Sequence, residues 1–270
     1  MAQLSFLDEP GPDGDPRGAS RGAPHDEAAL RAKALAIHGR LAPVYGAPIP
    51  YFGDLDPLGE LVSSFLNHRT RNADAHRAFE ALTARFPAWE AVRDAPTSEV
   101  REAIAGVRWA EMKAARLQSI LRGITERRGG VLNLDHLADM PVPEARRWLE
   151  ALPGVGPKTS AATLAFSTLR RAALPVDSHH HRVAQRVGLI EPNIDVGPSH
   201  AILEAFVPGD WDAQAVYDHH ELFMLHGQHV CHWRRPECGR CVLLDLCPEG
   251  QRREAGSPLH AAAGAGRLTS

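Results

Sequence analysis

Apolar residues along this chain recur at intervals of three and four, not two. The interval predicts helices over 26–41, 57–67, 72–86, 98–105, 110–128, 144–151, 157–169, 178–187, 199–206 and 212–226. Start signals agree with the period. Asp56 before Pro57 reads as an N-cap followed by a first-turn proline, and Pro157 opens another helix just after Gly156. No stretch alternates β-branched and polar residues, and no repeat longer than the helical period is visible. The fold class expected is all-α. Residues 1–25 have no periodicity and are rich in Pro, Gly, Asp and Arg, so they read as a disordered leader. Residues 250–270 read as a flexible tail.

Composition changes this picture little. The 270 residues are 44% hydrophobic, which is ample for a buried core. With 30 basic and 33 acidic residues the net charge is −3, which excludes a strongly basic coat. The excess acid sits in the first 30 residues, where six acids face two arginines; the remainder is close to neutral. Any nucleic-acid contact must therefore come from local clustering. Lysine occurs only at 33, 113 and 158, so a lysine inside a glycine-rich turn stands out. No apolar run is long enough to span a membrane and no secretory signal is evident, so no membrane role is expected. All four cysteines lie between 231 and 247, which argues against a disulfide framework and for a reducing, cytosolic compartment.

Cys231, Cys238, Cys241 and Cys247 follow the spacing C-x6-C-x2-C-x5-C. Four thiols so close in sequence converge at small entropic cost. Thiolates suit Zn²⁺ or an iron–sulfur cluster, and the spacing alone leaves both open. Arg234, Arg235 and Arg240 lie in the same loop, either near the thiolates or as a solvated rim. Upstream, EARRWLEALPGVGPKTSAATLAF reads as helix, tight glycine turn, helix. Gly154 and Gly156 permit backbone angles closed to other residues. The free amides of Gly154, Val155, Gly156 and the following helix then form an anion site suited to a DNA phosphate. Lys158 falls in the first turn of that second helix, where the helix dipole disfavours a cation and favours an amine nucleophile. Asp177 in LPVDSHHHRV reads as an N-cap that also supplies a carboxylate if it faces a cleft shared with Lys158.

LPGVGPK, VDSH, LHGQHVC and the cysteine spacing, in that order, resemble endonuclease III, the iron–sulfur member of the helix–hairpin–helix DNA glycosylase superfamily. The resemblance spans roughly residues 27–249. It implies a two-lobed fold. A six-helix barrel lobe would occupy 49–170, with the hairpin near 144–169. A cluster lobe would combine 26–48 with 171–249 and carry one [4Fe–4S] cluster on the four cysteines. By position Lys158 matches the family's Schiff-base lysine and Asp177 its catalytic aspartate. The implied activity is base excision on double-stranded DNA with a damaged base or abasic site, by a monomer at the bacterial nucleoid. An oxidised pyrimidine would be removed and the strand nicked by β-elimination. The competing expectation is a module that binds damaged or bent DNA with little catalysis.

Several positions depart from the family pattern. His68 stands where the family usually has the glutamine that fills the gap left by a flipped base, with Asn67 beside it. The loop GVRWAEMKA is longer than the family norm and offers Arg108 or Trp109 as an intercalating group. Core packing is the alternative for His68 and Trp109. Pro157 replaces a commonly basic residue. Asp177 is followed by Ser178 and three histidines, of which His179 matches the family's own; His180 and His181 point elsewhere on a helix.

Overall fold

The computed structural model describes residues 27–256, so the leader and most of the tail lie outside the described residues. Within them the chain forms twelve α-helices and no strand. These are α1 (Glu27–Tyr45), α2 (Pro57–Asn67), α3 (Asn72–Arg85), α4 (Trp89–Asp94), α5 (Thr97–Ala103), α6 (Ala110–Arg127), α7 (Val142–Glu150), α8 (Pro157–Phe166), α9 (Ser178–Arg186), α10 (Val196–Glu204), α11 (Ala213–His229) and α12 (Pro248–Ala255). Asp56 caps α2 by accepting from the amides of Leu58 (2.9 Å) and Gly59 (2.8 Å).

Two elements differ from expectation. α4 has six residues, too few for the helical period to register. The supposed tail is helical through 255. Pro248 starts that helix, and Cys247 Sγ accepts from the Gly250 amide at 3.3 Å. A polar sequence is thus ordered by the cysteine loop beneath it.

The helices enclose two hydrophobic cores. One is drawn from an unbroken stretch, with Leu61, Leu66, Leu82, Leu117, Leu121 and Leu164 at its centre. The other joins Ile37 and Leu41 of α1 to Val176, Val183, Leu222 and Phe223 far along the chain. Each such side chain contributes roughly 1.5–3 kcal/mol on burial. Tyr217, Phe166, Ala162 and Ala165 form a smaller cluster of their own. Among the described residues no helix is long and apolar enough to cross a membrane.

The second core is rich in buried imidazole. His180 is fully buried, stacks on Phe223 with centroids 4.4 Å apart, and neither ring nitrogen has a hydrogen-bond partner. Burial lowers its pKa strongly, and lowers His219 to about 3 and His200 to about 4. An unfolded histidine titrates near 6.5. The unfolded chain therefore takes up protons that the native state refuses, and stability present above pH 6.5 is lost as pH falls. At pH 5 His219 and His200 each cost roughly 2 kcal/mol. Buried Glu60 and Glu221 act with the opposite sign over the same range, so the check is a single-site one: a His219→Gln variant whose melting temperature runs parallel to wild type from pH 7.5 to 5 would contradict this.

Candidate active site

The hairpin between α7 and α8 is built as its glycines demand. Gly154 sits at φ +87°, and a Cβ there would collide with Arg116 Cδ. Gly156 is the N-cap of α8, supplies no side-chain cap, and leads into Pro157 at the first position. The first amides of α8 are thus uncapped by any side chain, the arrangement that receives an anion. Val155 sits deeper in this turn than its two glycine neighbours. Its side chain is buried in the first core, and its amide donates to the Leu152 carbonyl at 3.2 Å.

Lys158 opens into a cleft of about 280 Å³ also lined by His68, Trp109, Arg116, Gly154 and Gly156. Burial lowers the pKa of its amine, while the carboxylates of Asp177 and Glu60 pull the other way. Desolvation is the largest of these causes. Asp177 is the N-cap of α9, accepting from the amides of His179 (2.9 Å) and His180 (2.7 Å). It is only partly buried, so it holds the helix start and stands within electrostatic reach of Lys158 at once. Its neighbour His179 contacts Arg182 Nη2 through Nδ1 at 3.1 Å. Glu60 was not anticipated. It is 5% exposed, accepts from Ser64 Oγ at 2.6 Å, and burial pushes its carboxyl up to about 6. The signal was available: an acid in the otherwise apolar segment PLGELVSSFL.

Two loops face the cleft. His68 and Trp109 are exposed, not core residues. Trp109 is left-handed at φ +59°, a strained conformation for a bulky residue, and Arg108 lies over its ring at 4.4 Å. Asn67 ends α2, and its carbonyl accepts from the Thr70 amide at 3.0 Å, outside the cleft lining. Lys113 ties the loops together. It is 4% exposed and donates to the carbonyls of Leu66 (2.6 Å) and His68 (2.8 Å) and to Thr70 Oγ1 (3.0 Å). Thr70 Oγ1 also accepts from the Arg108 amide at 3.2 Å. Burial lowers Lys113 to about 8. Burial and the cations Lys113, Arg69, Lys158 and Arg116 lower His68, which keeps its imidazole neutral.

The four cysteines are free thiols lining one cavity together with Arg186 and Leu243. Arg186 Nη1 donates to Cys231 Sγ at 3.2 Å and to the His232 carbonyl at 2.7 Å. Arg182, a turn earlier on α9, donates to the carbonyls of Cys231 (3.0 Å) and Gly227 (2.7 Å). The helix that begins at Asp177 therefore grips the cysteine loop at its other end. Arg240 instead pairs with Glu237, on the rim. Burial raises the thiols of Cys238, Cys247 and Cys241, the last to about 11.

The family model for the HhH-GPD superfamily of base excision DNA repair proteins matches residues 62–208. Endonuclease III of Bacillus subtilis (strain 168) is 30% identical over 202 residues, covering 74% of this chain and 84% of that protein. The chain belongs to the HhH-GPD superfamily and is of the endonuclease III type. Endonuclease III of Escherichia coli (strain K12) is 29% identical over 219 residues, covering 80% of this chain and 95% of that protein. A structure of a trapped endonuclease III–DNA covalent intermediate superposes with a TM-score of 0.70 at 21% identity, over 83% of this chain and 98% of that one. A thermostable thymine-DNA glycosylase gives 0.67 at 21% identity, over 83% of this chain and 99% of that one. This endonuclease III-type glycosylase is therefore a base excision repair protein with the all-α helix–hairpin–helix fold.

Proposed function

We propose that this glycosylase is bifunctional: it excises a damaged base, an oxidised pyrimidine, and then cleaves the abasic site. The observation that carries the reading is a single one. A desolvated amine, Lys158, opens into the cleft beside the uncapped start of α8 and within reach of the Asp177 carboxylate. A base inside the duplex is out of reach, so the nucleotide is flipped into the cleft. The hairpin amides hold the phosphate without reading sequence. Lys158 Nζ, as free amine, bonds to C1′ of the deoxyribose. The glycosidic bond breaks, and the base leaves with its electron pair and gains a proton. Asp177 stabilises the positive charge on the sugar and takes the proton from Nζ. The C1′–O4′ bond then breaks, O4′ taking the proton held by Asp177, to give the ring-opened iminium; C2′ loses a proton and the C3′–O bond breaks, the phosphate leaving with the bonding electron pair.

The test is a panel of lesion duplexes assayed with and without borohydride. Oxidised pyrimidines are expected to give both nicking and a trapped covalent adduct. Nicking of an abasic duplex with no trapped adduct would refute the imine. Binding without any turnover would favour the damaged-DNA-binding alternative.

His68 and Trp109 are proposed to enter the duplex at the lesion, with Arg108, Asn67 and His179 on the flanking backbone. Trp109→Ala is expected to weaken binding to a lesion duplex by roughly 5- to 100-fold, the scale of one stacked base. Undamaged duplex should lose much less. Equal losses on both in a titration would remove Trp109 as a wedge.

The cysteine cavity fits a cluster. All four donors are thiols, the Leu243, Gly250 and Arg186 N–H groups point at sulfur, and buried thiols raised in pKa need a cationic centre to ionise. Among the described residues no three His, Cys, Asp or Glu side chains converge on one ion. The unequal arms of the C-x6-C-x2-C-x5-C spacing suit the splayed corners of a polynuclear centre better than a lone Zn²⁺. We assign Cys231, Cys238, Cys241 and Cys247 to one [4Fe–4S] cluster, which when bound would supply a fixed multivalent anchor for the loop. The purified protein is expected to be brown, with about four irons per chain. Stoichiometric zinc without iron would overturn the assignment. The reading is completed by action on double-stranded DNA as a monomer in the bacterial cytoplasm.

A further inference from the structure

His220 and Glu221 lie side by side on α11 and have no part in the chemistry above. Both are buried, 3% and 6% exposed. His220 Nδ1 is 2.8 Å from the carbonyl of Pro175, two residues before Asp177. A carbonyl only accepts, so Nδ1 carries hydrogen. Neutral His220 then has a bare lone pair on Nε2, and Nε2 is 3.9 Å from Glu221 Oε1. The imidazole thus stands between the backbone leading to Asp177 and a buried carboxyl group.

We propose that His220 and Glu221 form a proton-holding pair beneath the Asp177 segment, and that Glu221 is a positioning residue whose charge sets how readily Lys158 becomes a free amine. The inference rests on the reading of Lys158 as the nucleophile. One proton on the pair satisfies it in either place: on the carboxyl group, or on Nε2 as an imidazolium beside a carboxylate. Without that proton the pair carries one negative charge. The surroundings decide when this happens. Asp177 at the start of α9 and Asp218 on α11 face Glu221 with negative charge, and Tyr217 is also on its side. Lys158 of α8 and Asp177 act on His220 with opposite signs, and the uncharged His180 ring of α9 stacks at 5.9 Å. Burial and the two aspartates push Glu221 up to about 7, so the pair sheds its proton around neutrality. The added negative charge faces Asp177, which together with Glu60 of α2 acts directly on Lys158, and through that carboxylate cluster it holds the amine protonated to higher pH.

The sign is distinctive. A carboxyl group whose folded pKa exceeds its unfolded value near 4.5 binds protons more tightly in the native state. Its burial is harmless at pH 4 and increasingly costly as pH rises towards 7. Glu221→Gln removes that cost and keeps the shape. Its melting temperature is expected to gain on the full-length wild type progressively from pH 5 to pH 8. A side chain with only a packing role would give parallel curves. The same variant is expected to move the acid limb of single-turnover borohydride trapping, on a preformed abasic duplex, at least half a pH unit lower. Should Glu221→Gln not fold, Glu221→Met, uncharged and similar in length, gives both shifts. Parallel melting curves, or an unmoved limb, overturn the pair. Wild type that does not trap at all, or Lys158→Ala that traps as well as wild type, overturns the nucleophile instead.

Discussion

Lys158→Ala is expected to leave no borohydride-trapped adduct and to slow nicking of an abasic duplex by about 10³-fold or more. The amine meets two demands that conflict elsewhere on this protein. It is desolvated enough for its pKa to fall, and it still opens into a cleft that a sugar can enter. Lys113 shows the contrast. It too is lowered by burial, but three acceptors consume its protons, so it staples loops and has no lone pair to offer. Lys158 lines the cleft and belongs to neither hydrophobic core, so melting temperature and iron content should stay near wild type. Equal trapping by Lys158→Ala would end the covalent mechanism.

Gly227→Ala is expected to damage both stability and catalysis from a position with no chemistry of its own. A Cβ at 227 would stand 2.8 Å from His179 Cβ and 3.2 Å from His179 Cα. The second of these is backbone, so α9 and α11 must separate. Overpacking of this kind costs about 1–3 kcal/mol, or roughly 2–12 °C for a chain of this size. The displaced helix begins at Asp177, and a misplacement on the order of 1 Å costs about 10²-fold in rate. Gly209→Ala is the control, because a Cβ there meets nothing within 4 Å. If Gly227→Ala melts and turns over like Gly209→Ala, the two helices are not held as closely as described.

What the sequence disclosed was local. The Asp56–Pro57 start, the glycine hairpin and the Asp177 cap are each set by a few adjacent residues, and each forms as expected. The cysteine spacing marks a loop whose four thiols line one cavity. Hidden were features that need distant partners. Glu221 looks like an ordinary surface acid until α9 and α11 close over it. The rarity of lysine drew attention to Lys158 but applied equally to Lys113, whose three acceptors lie more than forty residues away. Helix α12 was misjudged because its order comes from the cysteine loop, not from an apolar stripe. His180 is paired with His181 in the sequence, both set apart from His179, yet of the three it alone is fully buried.

The two cores differ in how their residues are spaced along the chain, and this bears on biosynthesis. The first core can close as soon as its own continuous stretch has left the ribosome. Ile37 and Leu41 of α1 emerge before it, but their partners around Val183 and Phe223 are translated last. At about 5–20 residues per second, the apolar stripe of α1 waits on the order of ten seconds for its mates. During that interval the nascent chain carries a ready ligand for a chaperone, ahead of a stretch that can already close its own core.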